Sequence, residues 1–154
     1  MTDLDIEFEH IYLEVKAERW PQLERFLFSY YCYREGFVTS KNKPGWETAR
    51  AKTPRSTSVQ DIQDSALEPV VPLAVVIGEI KRYWRDGELT PNSLRRILDS
   101  LLHYATISKQ ELTELKKAGL QNAMPACWYQ SDEREALARF GKVKICIEDL
   151  TQRR

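Results

Sequence analysis

The sequence predicts a mostly α-helical, single-domain bundle of five to seven helices with a minor β-strand near the C-terminus. Apolar residues recur every three to four positions over several long segments, as in amphipathic helices. Helix start and stop signals stand at the ends of those segments. One late segment, 142–149, alternates apolar and polar residues like a strand. The length of 154 residues favours one domain spanning 1–154.

The first segment, 5–18, fits two patterns. Its apolar residues alternate from Ile6 to Tyr12, as in a strand. However, Ile6, His10, Leu13 and Ala17 also share one face of a helix. The glutamates and the lysine between them are good helix formers, so a helix is the preferred prediction.

A second helix is predicted to follow the boundary at Trp20 and Pro21, because proline suits the first position of a helix. Apolar and aromatic residues fill almost every position from Phe26 to Tyr33. A helix that is apolar nearly all round is usually buried. Gly36 is a natural end for it.

The least regular stretch is 38–65. It contains Pro44-Gly45, Pro54, a Ser/Thr cluster and several basic residues, with Trp46 as its main large apolar side chain. We expect a long loop, serving either as a flexible contact arm or as an exposed linker anchored by the tryptophan.

Three helices are predicted most firmly, over 73–85, 91–105 and 109–117. The first has an apolar stripe opposite a basic one. The second begins at Thr90-Pro91, an N-cap followed by proline at the first position. Ser108 and Glu111 form a capping box that opens the third, and Gly119 supplies its left-handed cap.

The C-terminal part predicts less structure. Met124-Pro125 interrupts any regular element, and a short helix is expected from Asp132 to Gly141. The strand at 142–149 needs a partner. That partner would be 5–15, if extended, or another molecule.

Charge and cysteine content limit the functional classes. Lys plus Arg number 23 and Asp plus Glu also 23, so no net charge attracts the molecule to nucleic acid or anionic lipid. The three cysteines, Cys32, Cys127 and Cys146, are too few and too widely spaced for a disulfide framework. We expect a cytoplasmic protein that does not interact with membranes.

Catalytic and cofactor motifs are not found in the sequence. The glycines never cluster into a nucleotide-binding loop. His10 and His103 are the two histidines, and a Cys127–His103 pair is less plausible than two structural side chains. Asp61 and Asp64 are better explained as solvated acids at a helix start than as a cation site. The expectation is a non-enzyme without metal or cofactor.

Basic residues near aromatic ones indicate contact with nucleic-acid backbone, because phosphates attract Lys and Arg. The alternative is that charge blocks distant in sequence, such as the acidic segment 1–18, neutralise the basic blocks in the folded protein. The candidate contacts are Lys41, Lys43, Arg50, Lys52, Lys81, Arg82, Arg85, Arg95 and Arg96.

Aromatic residues indicate a protein partner, because interface hot spots favour Tyr, Trp and Arg. The candidate anchors are Tyr30, Tyr31, Tyr33 and Trp46. Together these features predict a non-catalytic helical accessory subunit of a larger nucleoprotein assembly, contacting backbone without sequence readout. A small subunit of a CRISPR-type effector complex illustrates the type, by analogy alone. The alternative is a protein-binding adaptor or inhibitor that contacts no nucleic acid.

Overall fold

A computed structural model describes residues 1–148, and the fold is mostly α-helical, as predicted. A small antiparallel sheet accompanies the helices. In chain order the elements are α1 (Asp3–Lys16), a short 3-10 helix (Trp20–Gln22), α2 (Leu23–Glu35), α3 (Trp46–Lys52), a second 3-10 helix (Ile62–Asp64), β1 (Ser65–Pro69), α4 (Leu73–Arg85), α5 (Pro91–Leu101), β2 (Tyr104–Ser108), α6 (Lys109–Lys117), α7 (Ala126–Gln130) and α8 (Ala138–Lys142). No helix within 1–148 is both long and apolar enough to span a bilayer.

The chain divides into two compact units. Unit 1 comprises Met1–Ala49 and Val76–Leu102; unit 2 comprises Arg50–Val75 and the described residues from His103 onward. The predictions of a single domain and of a bundle stay predictions.

In unit 1, α1 packs against α2 and α5. The buried side of α1 carries Phe8, Ile11 and Val15, while α2 buries Leu23 and Leu27. Burying such side chains stabilises a fold by about 1.5–3 kcal/mol each. The helical prediction for 5–18 is therefore correct.

The capping signals act as the sequence indicates. Thr90 Oγ1 accepts a hydrogen bond from Ser93 N at 3.1 Å, and Ser93 Oγ accepts one from Thr90 N at 2.8 Å, which closes a capping box at the start of α5. At the end of α2, Gly36 adopts the left-handed conformation with φ of +80°, where a side chain would be strained. These two ends confirm the predicted boundaries.

Unit 2 is built around the two-stranded sheet. Ser65 lies opposite Ser108 and Pro69 opposite Tyr104. Helix α6 contacts both strands. The core of the unit is a cluster of buried residues from the second strand, the helices and the adjoining segments: Val70, Ala105, Ile107, Leu115, Phe140 and Ile145.

The predicted C-terminal strand is wrong: the strands lie mid-chain. Over 142–148 only Ile147 pairs, in a single bridge to Ser56; residue 149 lies outside the described residues. Helix α8 runs through Lys142, and Lys144 has a positive φ of 61°, which breaks an extended backbone. The alternation nevertheless reflects burial, because Ile145 is buried while Cys146 is exposed.

That segment pairs with residues 54–57 of the same chain and not with 5–15, which is helical. Residues 54–57 run between it and β2. Ser56 N donates to Thr106 O at 2.9 Å on one side, and Thr57 N donates to Cys146 O at 3.0 Å on the other. The two strands went unpredicted because β2 is buried at four consecutive positions, which removes the alternation that reveals a half-buried strand.

The structure also differs from the prediction at three other places. The helix predicted over 91–105 ends at Leu101, because Tyr104 and Ala105 pair with β1 as part of β2. The stretch 38–65 contains α3, which begins at Trp46 just after Pro44-Gly45 and buries Ala49. Near the C-terminus, α7 forms where a break was expected. Helix α8 begins at Ala138 rather than Asp132, since Arg134 has a positive φ of 43°.

Candidate nucleic-acid interface

Three of the predicted basic residues lie on one face of α4. Lys81, Arg82 and Arg85 recur at helical spacing, and this face is opposite the buried Val76 and Ile80. The Arg85 side chain is 74% exposed and that of Arg82 43% exposed. Gly78 precedes them on the same face, with open space where a Cβ would stand. The result is a basic surface on which no side chain at position 78 obstructs a ligand that approaches the helix backbone.

Each of these three basic side chains interacts with an acidic or an aromatic neighbour. Arg82 Nη2 lies 2.5 Å from Glu79 Oε1, and this hydrogen bond raises the pKa of the guanidinium further above its usual value. Arg85 Nε lies 3.5 Å from Asp86 Oδ1. Lys81 Nζ stands 5.5 Å from the centre of the Trp20 ring, at cation–π distance. Arg82 is the most neutralised of the three.

Helix α5 adds Arg95 and Arg96, both exposed. The Arg95 guanidinium lies 4.4 Å from the centre of the Phe8 ring on α1. The pKa of Asp5 is lowered, mainly by hydrogen bonds from Thr2, with a smaller contribution from the charge of Arg95. Part of the acidic block 1–18 thus lies beside part of the basic block, as the alternative explanation of the charge blocks expected.

The basic residues of 41–55 do not act as one group. Lys41, Lys43 and Lys52 are exposed. Arg50 is buried, 8% exposed, and donates to Ser65 O at 3.3 Å and to Gln63 Oε1 at 3.4 Å. Because these bonds hold Arg50 inside unit 2, its prediction as a phosphate contact is corrected to a structural role.

Two predicted aromatic anchors are core residues. Tyr30 and Tyr31 are each 2% exposed. The Tyr30 hydroxyl donates to Asp99 Oδ1 at 3.3 Å, and burial raises its pKa. Tyr31 meets the Phe37 ring edge-on at 5.9 Å between centroids. Both are therefore removed from the partner-binding set.

The other two anchors keep some accessibility. Tyr33 is half-buried, and its hydroxyl donates to Asn42 O at 2.9 Å. Trp46 is 46% exposed at the start of α3. These two residues stay in the set that a protein partner would contact.

One surface was overlooked as a site. Ile6 is 39% exposed and Leu13 60% exposed on the face of α1 that also carries His10 and Ala17. This periodicity predicts the helix, but by itself it does not show which of the two helix faces is buried. Phe8, Ile11 and Val15 form the buried face. A second set of apolar residues on the same helix was therefore the sequence signal that could have indicated an exposed binding surface.

The acidic residues that the sequence offers for a cation site lie apart from any metal-binding cluster in the described part of the chain. Within 1–148 no group of three or more His, Cys, Asp or Glu residues is placed to hold a metal ion. A cleft of about 210 Å³ lies beside Asp61, Asp64 and Ser108. Lys109 Nζ lies 3.1 Å from Asp64 there, and the Asp61 carboxylate accepts a hydrogen bond from Gln63 N. Both acids therefore have a structural explanation.

No protein-family model matches this chain, and neither a curated protein nor a solved structure gives a match.

Proposed function

We propose that this protein is a non-catalytic accessory subunit that contacts nucleic-acid backbone through the exposed basic surface of α4 and α5 in unit 1. The observation that carries the proposal is the grouping of Lys81, Arg82 and Arg85 on one exposed helix face. Successive turns of a helix repeat every 5.4 Å or so, so this face presents a row of positive charges to a row of phosphates.

The ion pairs on α4 do not prevent this role. Salt bridges between exposed side chains stabilise a protein by roughly 0–1 kcal/mol, so exchanging one for a phosphate costs little. Lys81 and Arg85 are the better candidates, because Arg82 is held by the close bond to Glu79.

We infer contact with the phosphate backbone, which exposed Lys and Arg side chains can make with a nucleic acid of any sequence. Lys and Arg neutralise phosphates without sequence information. The whole chain has no net charge, which predicts modest affinity that depends on local charge. Arg95, Arg96, Lys41 and Lys43 supply further exposed positive charge within unit 1.

The decisive experiment measures binding of fluorescently labelled single-stranded RNA and DNA over a salt series. Three phosphate contacts predict a log–log slope of about −2, since each contact contributes roughly −0.7 on single strands. The double variant K81E/R85E should bind at least about tenfold more weakly and lose most of the slope.

The matched control is K116E/K117E on α6 of unit 2. Both lysines are exposed in the last turn of their helix, as Arg85 is in its own, and the change in net charge is identical. An equal loss in both double variants would mean that overall charge, not the α4 surface, drives binding. No binding even at low salt would overturn the proposal.

A second candidate function, a protein-binding adaptor, is favoured by exposed aromatic side chains. Trp46 in unit 1 and Tyr129 in unit 2 are each 46% exposed, and such residues are enriched at interface hot spots. A protein that binds no nucleic acid but loses a partner complex on Trp46→Ala, with unchanged thermal stability, would establish the adaptor function instead.

A further inference from the structure

The exposed face of α1 has the pattern of a helix that packs against another helix. Ile6, His10, Leu13 and Ala17 recur every three to four residues along it. Leu13 is 60% exposed and Ile6 39%. The opposite face of the same helix is already buried, with Ile11 and Val15 fully inaccessible. A helix that is apolar on two sides has a second surface to cover.

The stripe continues onto α2. The rings of His10 and Phe26 lie 5.1 Å apart between centroids, and the Arg25 guanidinium stands 4.8 Å from the centre of the Phe26 ring. The exposed surface is therefore a stripe one helix long with a charged rim, on which Ile6 and Leu13 flank the imidazole of His10, whose Nδ1 lies 3.5 Å from Glu7 Oε2. Contiguous exposed apolar surfaces rimmed by polar residues mark interaction sites.

Charge along α1 indicates which partner fits. On one flank of the stripe stand Glu9, in the N-terminal half, and Lys16, in the last turn; both are exposed. When two identical helices pack antiparallel, a residue on one flank faces the same flank of the other helix near the opposite end. Pairing Ile6 with Ala17 and His10 with Leu13 across a twofold axis brings Glu9 of each copy within reach of Lys16 of the other.

We propose that α1 is a self-association surface, on which a second copy of this chain docks antiparallel in a twofold dimer. The apolar stripe supplies the contact, and the reciprocal Glu9–Lys16 pairs fix the direction. A twofold interface uses the same surface on both subunits, which the charge order on α1 satisfies. The proposal rests on α1 alone and is independent of the basic surface on α4.

The expected dimer is weak. Stable interfaces bury about 1,200–2,000 Å² in total, and one helix face with four stripe residues is small. We expect a concentration-dependent monomer–dimer equilibrium in sedimentation velocity over the micromolar to submillimolar range. Leu13→Glu should weaken it at least about tenfold, because one buried leucine contributes that much or more.

The control for Leu13→Glu is Tyr129→Glu, which places the same charge on another exposed apolar residue, outside α1. It should dimerise like the unmodified protein. Circular dichroism of each variant confirms that the helices are retained, which is expected because Leu13 faces solvent. A chain that stays monomeric throughout the range, or a dimer that Leu13→Glu leaves intact, would overturn the proposal. The stripe would then be a candidate surface for a different protein.

A charge exchange tests the antiparallel arrangement. The E9K chain alone and the K16E chain alone each place like charges opposite one another, so each should dimerise less than the unmodified protein. Mixed in equal amounts, they should form a heterodimer, because opposite charges then meet at both sites. Failure of the mixture to associate, when the unmodified protein does, would rule out this arrangement.

Discussion

The Arg139 side chain is fully buried, and its Nη2 donates to Glu68 Oε2 at 2.8 Å. The same guanidinium donates to Val70 O at 3.1 Å and to Leu120 O at 2.8 Å, and it also bonds to Pro69 O. One side chain on α8 thereby joins the end of β1 to the segment that follows α6. Burial lowers the pKa of Arg139, while the bond to Glu68 opposes that shift.

Replacing Arg139 should destabilise unit 2 severely. Arg139→Met removes the donor from the buried Val70 carbonyl and from the partly buried carbonyls of Pro69 and Leu120, and it leaves the Glu68 carboxylate without its partner. Breaking a buried pair on one side costs about 3–5 kcal/mol. Arg139→Lys should recover only part of this, because an ammonium lacks the planar fork that reaches several acceptors. Urea unfolding followed by circular dichroism measures both effects.

The control is an exposed ion pair. Lys109 and Asp64 lie 3.1 Å apart with side chains 66% and 77% exposed, so Lys109→Ala should change the free energy of unfolding by under about 1 kcal/mol. If Arg139→Met were no worse than Lys109→Ala, the buried network would not be holding unit 2 together.

Glu111 links the start of α6 to the segment that follows α3. Its Oε1 accepts from Ser108 N at 2.9 Å and its Oε2 from the hydroxyl of Ser56 at 2.7 Å. Ser56→Ala should cost about 1–3 kcal/mol, because a buried acceptor then loses its donor. Ser108→Ala should cost about 1 kcal/mol through the lost N-cap.

The two changes should not be additive, since both act on Glu111. Thr2→Ala, in the exposed capping box of α1, is the control, and it should cost less than Ser108→Ala. Chemical unfolding of the three single variants and of S56A/S108A tests this. A strictly additive double variant would show that Glu111 does not couple the two hydroxyls.

The helices could be predicted from the sequence because their signals are local. Thr90-Pro91, Ser108 with Glu111, and Gly36 act on backbone groups within one turn, so their effect needs no knowledge of the rest of the fold. The strands could not be predicted in the same way. Ser65–Pro69 and Tyr104–Ser108 are short and pair across 35 or more residues of chain, and only that pairing makes them strands.

Exposure was the quantity that sequence could not supply for the candidate site. Arg50 and Lys52 are basic residues two positions apart in the same segment. However, the Arg50 side chain lies inside unit 2 and donates to Ser65 O. Tyr30 and Tyr31 are aromatic like Trp46, but they complete the core of unit 1. Side-chain chemistry limited the possible contacts, and packing then decided which of them reach the surface.

Gly78 should be replaceable with a gain in stability. It lies within α4, and a Cβ there would meet no atom within 4 Å. Gly78→Ala should therefore stabilise by about 0.5–1 kcal/mol, because glycine loses more backbone freedom in a helix. Gly119→Ala is the opposite case, since its φ is +72°, and it should destabilise by about 1–2 kcal/mol. Thermal melts compare the two.

The same variant informs the function. If nucleic-acid backbone approaches α4 closely at Gly78, then Gly78→Ala should weaken RNA or DNA binding while raising the melting temperature. A stabilised variant with unchanged affinity would show that Lys81 and Arg85 make their contacts without close approach to the helix backbone.

The three cysteines should differ in reactivity. Cys127 and Cys146 are exposed, whereas Cys32 on α2 is buried, and burial raises the pKa of its thiol to about 11. The thiolate is the reactive form. A disulfide reagent at pH 8 should therefore modify two thiols rapidly and the third only at the rate of unfolding.

The raised pKa also predicts how pH affects stability. The folded state keeps Cys32 protonated beyond its ordinary value of 9.0, so unfolding becomes more favourable once pH exceeds that value. This contribution is fully present below pH 9 and is lost as pH rises towards about 11. Cys32→Ala should abolish that part of the alkaline dependence, which urea titrations at several pH values measure against Cys127→Ala as the exposed control. Three rapidly reacting thiols, or the same alkaline loss in Cys32→Ala, would contradict the buried position of Cys32.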